Sequence, residues 1–91
     1  MSEEMENIEI SAWIDTILDE YKRAKTLHPV WPTDPIHAAA LGGEEAGELV
    51  RAANRFYYEG ASEDEMITEA VQMGAMAIRF LIGTGGYRGM K

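Results

Sequence analysis

A cluster of glutamates inside one apolar segment is the feature of this sequence that could carry chemistry. Residues 44–48 read Glu-Glu-Ala-Gly-Glu, and Glu69 follows in a second apolar segment. On a helix, residues at i, i+1 and i+4 lie on one side, where like charges repel. A divalent cation would remove that repulsion, and Mg²⁺ prefers carboxylate oxygens that it often shares with substrate phosphates. The alternative is a plain acidic face in contact with solvent.

Helical position separates Glu45 from the other acidic residues of its segment. At about 100° per residue, Glu44 and Glu48 share one polar arc. A solvated face explains them, with Glu48 close to Arg51 and Arg55. Glu45 instead falls among apolar residues, namely Leu41, Leu49, Ala52 and Phe56. An ordinary solvated glutamate is not expected on that arc.

Glu69 is the same kind of exception in the next apolar segment. It lies between methionines at helical spacing, namely Met66, Met73 and Met76. If the two helices are antiparallel neighbours, their inward-pointing carboxylates can meet, which is a known way to build a metal site in a helical bundle. We therefore expect the two segments to hold a divalent metal ion between them.

Two helices are predicted before the turn at Gly60. Apolar residues at i, i+3, i+4 and i+7 predict a helix over 10–27. Pro29 ends it, because the residue before a proline is pushed out of the helical region. The pair at 34–35, Asp-Pro, favours a second helix start, since Asp is a good N-cap and Pro fits the first helical position. That helix should extend to about Tyr58.

The third predicted helix is the most apolar part of the chain. An S-x-x-E capping-box pattern at 62–65 predicts its start, and it should run to about Ile82. Its second half, 71–82, is interrupted only by Gln72 and Arg79. Because such a helix has no solvent face, we expect it to be buried against other copies in a homo-dimer or homo-tetramer.

Length and composition set the remaining limits. The chain has 91 residues, net charge −8 and no cysteine. We expect an all-α fold with an acidic lead at 1–9, one helical domain at 10–82 and a flexible glycine-rich tail at 83–91. The negative charge argues against nucleic-acid binding, which needs a basic footprint. No uninterrupted run of 18 or more apolar residues occurs, so we expect no membrane span and a cytoplasmic location.

At the acidic residues the sequence resembles a known family. The run Glu44-Glu45-x-x-Glu48, followed by Glu69-x-x-Gln72, is similar to the E-E-x-x-E … E-x-x-D signature of the MazG-like all-α nucleoside triphosphate pyrophosphohydrolases. The resemblance covers the second and third predicted helices. It implies a helix bundle completed by oligomerisation, which hydrolyses a (deoxy)nucleoside triphosphate to the monophosphate and pyrophosphate. It also implies Mg²⁺, or Mn²⁺, on the four glutamates and Gln72, with the glutamates as catalytic residues.

Gln72 departs from the family pattern, which has an aspartate at this position. Glutamine is neutral and a poorer Mg²⁺ ligand than a carboxylate. The substitution lowers the expected metal affinity and removes an acid that could orient the attacking water. The alternative is therefore a catalytically impaired MazG-like oligomer that binds nucleotides or acts as a scaffold. A plain helical interaction domain would leave Glu45 and Glu69 unexplained.

Two residues outside the signature are candidates for substrate binding. Trp31 lies in a proline-bounded loop before the acidic helix, where it could stack on a nucleobase or plug the underside of the loop. Arg79 follows the second motif by two helical turns and could bind phosphate. It could equally be a salt-bridged or solvated residue.

Overall fold

The computed structural model describes residues 1–83, which form three α-helices. These are α1 (Glu3–Leu27), α2 (Pro35–Glu59) and α3 (Glu63–Gly83). No strand occurs in this described part of the chain, and the all-α prediction is confirmed. Of the predicted tail at 83–91, Gly83 is the last residue of α3, and the remainder lies outside the described residues.

Helix α1 begins seven residues before the predicted start at Ile10. The Ser2 hydroxyl caps it by accepting a hydrogen bond from the Met5 amide at 3.1 Å. Three glutamates lie in the first turn, where negative charge favours the helix dipole. The spacing of apolar residues did not predict this early start, because it reveals only the part of a helix that faces other elements. The helix ends at Leu27, before the His28-Pro29 pair, as predicted.

Both ends of α2 follow the sequence signals. The Asp34 carboxylate accepts from the Ile36 amide at 2.9 Å, and Pro35 is the first helical residue. Gly60 ends the helix with a φ of +68°, in the left-handed region that glycine adopts without steric cost. Residues 60–62 then reverse the chain, so that α3 returns antiparallel to α2.

The predicted capping box at the start of α3 is only half formed. The Ser62 hydroxyl accepts from the Asp64 amide at 3.0 Å. Glu65 does not reach back to Ser62, because its carboxylate accepts two bonds from the Arg55 guanidinium of α2, at 3.0 and 2.8 Å. Charge-assisted bonds of this kind are stronger than a bond to a neutral amide. The pair holds the two helices together at their connection.

Helix α3 is central to the fold. It packs against both α1 and α2, whereas within residues 1–83 no Cα atom of α1 lies within 8 Å of a Cα atom of α2. The radius of gyration is 15.0 Å, whereas a compact domain of this length has about 12 Å. Only Ala24, Ala38, Ala52, Ala75 and Arg79 are buried among the described residues. The molecule is therefore an open bundle with a core of small side chains.

Much apolar surface is left uncovered by this arrangement. On α1, Trp13 and Ile14 are 42% and 51% exposed, and on α3 Leu81 is 59% exposed. Within the apolar second half of α3, only Ala75 and Arg79 are buried by the single chain. By length and composition alone, α3 is also apolar enough to cross a membrane. Core helices of soluble proteins share that property, and here the helix contains Glu69 and Arg79.

Candidate metal centre

The antiparallel pairing of α2 and α3 brings three of the predicted glutamates together. One carboxylate oxygen from each of Glu45, Glu48 and Glu69 lies within 4.8 Å of the others. Two of them come from successive turns of α2, and the third comes from the facing helix. We call these three residues the acidic cluster. The inward-pointing carboxylates of Glu45 and Glu69 thus meet across the interface.

Gln72 is part of the same site. With its amide oriented to donate, Nε2 lies 3.2 Å from an oxygen of Glu69 and 3.2 Å from an oxygen of Glu45. The amide therefore bridges the two carboxylates that enter the apolar seam. It satisfies hydrogen-bond acceptors without adding a compensating charge. To offer its oxygen to a cation, the amide must turn over and release both bonds.

The charges of the acidic cluster are not balanced by a cation of the chain. Ion pairs within residues 1–83 join Arg23 to Glu20 and Arg55 to Glu65, and none includes the acidic cluster. The pKa of Glu45 is raised, first by loss of solvent contact and then by the charge of Glu48. An electrostatically stable cluster needs a bound proton or a bound cation.

Glu69 is a second carboxyl of the cluster whose protonated form is favoured. Its pKa is raised by loss of solvent contact, and next by a hydrogen bond and the charge interaction with Glu48. The hydrogen bond with Glu45 raises the pKa of Glu69 further and lowers that of Glu45. Each of the two facing carboxyls therefore holds a proton more readily than a solvated glutamate does. A metal ion at this position would replace that proton.

Glu44 lies at the edge of the site. Its side chain is exposed, and it is not one of the three converging carboxylates. It acts on the cluster through charge, by raising the pKa of Glu45. The structure thus brings together Glu45, Glu48, Glu69 and Gln72, and leaves Glu44 in solvent beside them.

Glu20 of α1 is a contributor that the sequence analysis missed. Its charge also raises the pKa of Glu45, so it lies within electrostatic range of the acidic cluster. The side chain is only 17% exposed and pairs with Arg23 at 2.7 Å. The sequence did indicate this position, because Glu20 follows Trp13 and Ile17 at helical spacing and so lies on the apolar face of α1.

Two arginines lie next to the acidic cluster. A groove of about 500 Å³ runs between α2 and α3 towards their connection, and its lining includes Glu48, Arg51, Arg55, Thr68 and Glu69. We call it the arginine groove. Glu48 and Arg55 both line this groove, so they are near each other as expected. They do not form an ion pair, because Arg55 is paired with Glu65. The guanidinium groups are placed where phosphate oxygens could be bound.

Trp31 and Arg79 lie elsewhere, at the contact between α1 and α3. The Arg79 guanidinium donates to the carbonyls of His28 at 2.6 Å and Ala24 at 3.5 Å. It also lies over the Trp31 ring, 4.8 Å from the centroid. Arg79 is about 10 Å further along α3 than Gln72. The structure does not bring this pair to the acidic cluster.

The surroundings of Trp31 agree with the alternative in which its ring packs under the loop instead of binding a nucleobase. Its indole nitrogen is buried without a hydrogen-bond partner. The ring lies so close to Gly83 that a β-carbon there would collide with it. Arg79 is neither salt-bridged nor solvated, because it is 8% exposed and bonded to the carbonyls that end α1. Both residues fasten the loop after α1 to α3.

The donor set of the acidic cluster fits a hard divalent cation. Three carboxylates and one amide oxygen are the ligand types that Mg²⁺ and Mn²⁺ accept. Comparisons with family models, with curated proteins and with solved structures each find no match to this chain. The function of this chain therefore has to be inferred from the residues of α2 and α3 and from their geometry.

Proposed function

We propose that this chain is a MazG-like, Mg²⁺-dependent nucleotide pyrophosphohydrolase of the cytoplasm, which cleaves (d)NTP to (d)NMP and pyrophosphate. The observation that carries the proposal is the convergence of Glu45, Glu48 and Glu69 within 4.8 Å without a cationic partner. Burying and crowding carboxylates costs free energy that a solvated acidic face avoids. A cation that binds there recovers this cost and brings phosphates with it.

Each residue of the site has a role in this proposal. Glu45, Glu48 and Glu69 would hold Mg²⁺ or Mn²⁺, with Gln72 as a weaker ligand. When bound, the metal neutralises phosphate oxygens and lowers the pKa of water. Arg51 in the neighbouring groove binds phosphate oxygens that the metal leaves free. One of the glutamates, of which Glu44 and Glu48 are exposed to solvent, takes the proton of the attacking water.

A pyrophosphate-release screen tests the activity. Canonical and damaged nucleoside triphosphates are incubated with the protein, with and without Mg²⁺ or Mn²⁺, and pyrophosphate and monophosphate are both quantified. We expect equal amounts of the two products, dependent on metal and lost in Glu45→Gln and Glu69→Gln. Glu63→Gln is the matched control, because Glu63 is exposed on α3 and lies outside both the acidic cluster and the arginine groove. Metal-independent release, or release of inorganic phosphate alone, would contradict the proposal.

Gln72 favours a second candidate, a catalytically impaired module that binds nucleotide as an oligomer. The amide donates to Glu45 and Glu69, and so occupies the acceptors that a cation would use. In this case the metal and nucleotide would still bind together, but no monophosphate would form. Calorimetric titration of a nucleotide with Mg²⁺, run beside the product assay, separates this candidate from an active enzyme.

We also infer a homo-dimer or homo-tetramer. The chain exposes 6912 Å², which is about 1,600 Å² more than a compact monomer of its mass. A standard interface covers roughly 800 Å² on each partner. One standard interface on the exposed apolar faces of α1 and α3 would account for about half of this difference, and two such interfaces, as in a tetramer, for all of it. Sedimentation velocity at micromolar concentration should show the oligomer, whereas a species of 10.1 kDa would contradict it.

A further inference from the structure

We infer that the base of the nucleotide binds in an apolar groove beside the acidic cluster, and that Gly42 sets the width of this groove. The inference rests on the proposed function, because it assumes that the phosphates bind at the acidic cluster. The groove lies between α2 and α3 and measures about 380 Å³. Its lining includes Ala38, Ala39, Gly42, Met73, Met76 and Ala77.

The apolar groove is continuous with the acidic cluster. Along α2, Gly42 precedes Glu45 by three residues, a rise of about 4.5 Å. Along α3, Met73 follows Glu69 by four residues, a rise of about 6 Å. These pairs share a helical face, so the groove opens directly beside the carboxylates. A ligand that binds at the acidic cluster can therefore extend into it.

The order of the three regions matches the order of groups in a nucleotide. Going along α2, the apolar groove at Gly42 is followed by Glu45 and Glu48, and then by the arginine groove at Arg51 and Arg55. A nucleoside triphosphate presents a base, then the phosphates nearest the sugar, and then the terminal phosphates. With the metal-binding phosphates at the carboxylates, the terminal phosphate faces the arginines and the base faces the methionines.

Small residues on α2 are the reason that this groove is open. Opposite Met73 and Met76, the helix presents only alanine methyl groups and a glycine. A β-carbon placed on Gly42 would have no other atom within 4 Å. The vacant space is therefore not needed for helix packing. Methionine side chains are flexible and polarisable, and they adapt to a flat ring of varied outline.

The chemistry of the lining determines which bases are favoured. The side chains named here include no hydrogen-bond donor, and the thioethers of Met73 and Met76 are only weak acceptors. Polar edge groups of a base that enter such a groove lose their partners in water, which is unfavourable. The apolar groove therefore selects nucleotides by the apolar area of the base rather than by its hydrogen-bonding pattern. We expect a methylated pyrimidine to bind more tightly than its unmethylated counterpart.

A leucine at position 42 tests the inference, with Gly43→Leu as the matched control. Gly43 is the exposed neighbour, and a β-carbon there also meets nothing within 4 Å. Leucine is the better helix former at both positions, so both variants should fold. Binding of dTTP and of inorganic tripolyphosphate, which lacks base and sugar, is measured with Mg²⁺ by calorimetry.

We expect Gly42→Leu to weaken dTTP binding by about tenfold or more, on the scale of a lost base contact. Its tripolyphosphate binding should equal that of the wild type, and Gly43→Leu should bind both ligands as the wild type does. Gly42→Ala, which adds one methyl group to vacant space, should weaken dTTP binding by a smaller factor. This variant provides the same test if the leucine variant does not fold.

The possible failures can be told apart. If Gly42→Leu and Gly42→Ala bind dTTP as tightly as the wild type, the base lies elsewhere and the inference alone is overturned. If Gly42→Leu changes the sedimentation coefficient but not the dTTP affinity, the groove is an interface between copies, which also overturns it. If the wild type binds neither dTTP nor tripolyphosphate with Mg²⁺, the proposed function fails together with the inference.

Discussion

The two sides of α3 each enclose charge, and they compensate it in different ways. On the α1 side, Arg79 is buried, but carbonyl oxygens and the Trp31 ring surround its guanidinium. On the α2 side, the carboxylates of Glu45 and Glu69 lie beside a third carboxylate, that of Glu48, and the neutral Gln72 amide, and no ion pair within residues 1–83 includes them. A charge that the fold compensates has a structural role. A cluster that the fold leaves uncompensated is available for binding.

The largest expected effect is on the compensated side. Arg79→Met keeps an unbranched apolar stem but leaves the His28 carbonyl without its donor, and we expect a loss of roughly 2–3 kcal/mol in unfolding free energy. Arg55→Met is the matched control, because the Arg55–Glu65 pair is about two-fifths exposed. Its removal should cost less than about 1 kcal/mol. Urea unfolding of both variants measures the difference, and equal losses would contradict a structural role special to Arg79.

The next largest effect is the stabilisation of the fold by a metal ion that binds at the acidic cluster. Metal that binds only the folded state stabilises it, by about 1.4 kcal/mol at tenfold excess over the dissociation constant. We expect Mg²⁺ or Mn²⁺ at millimolar concentration to raise the Tm of the wild type and of Arg79→Met alike. Glu45→Gln and Glu69→Gln should lose this response. A wild-type melting curve that neither metal shifts, with or without nucleotide, would show that the acidic cluster does not bind a cation and so does not differ from the Arg79 side in this respect.

The Gln72→Asp variant adds a negative charge beside the acidic cluster, where the existing charges are already uncompensated. Without metal it should destabilise the fold by roughly 1 kcal/mol, because the new carboxylate faces Glu45 and Glu69. With Mg²⁺ it should be more stable than the wild type and hydrolyse nucleotide faster, since it supplies another hard ligand. Gln72→Asn is the uncharged control. Equal stability with and without metal, and no gain in rate, would show that position 72 does not act on the site.

The smallest expected effect is a pH dependence of the metal-free protein. Because the pKa values of Glu45 and Glu69 are raised above the ordinary 4.5, the folded state binds protons more tightly than the unfolded state. Their contribution to stability is therefore full below 4.5 and is lost as the pH rises through the raised values. The Tm of the wild type minus that of Glu69→Gln should fall as the pH rises above 4.5, because only the wild type gains a negative charge at position 69. A difference independent of pH would contradict the raised pKa of Glu69.

The helices of this molecule were largely predictable, because their signals are local. Asp34-Pro35 and Gly60 predict the bounds of α2 through backbone chemistry that needs no tertiary context. Glu45 and Glu69 were predictable as site residues because each interrupts an apolar period. The early start of α1 was missed, because Ser2 and the glutamates after it have no apolar partner to reveal a helix.

Long-range partners could not be predicted from the sequence. Arg79 finds its acceptors at the end of a helix more than 50 residues away, and neither residue type nor spacing indicates that contact. Arg55 was expected near Glu48, but the packing of α2 against α3 pairs it with Glu65. Glu20 lies on a helix whose orientation relative to α2 is set only by α3. Each of these outcomes depends on how helices pack, and a local pattern carries no information on it.

In the described chain the backbones of α1 and α2 do not approach each other closely, and this has a consequence for how the protein opens. Helices α2 and α3 form a hairpin whose contacts are short in sequence separation, which favours rapid and early formation. The contacts of α1 with α3 close a far longer loop and can be lost as a separate cooperative unit. Detachment of α1 would uncover Arg79 while the hairpin kept the acidic cluster and both grooves in register. The helix that can open locally and the hairpin that holds the candidate binding sites are therefore different parts of one small chain.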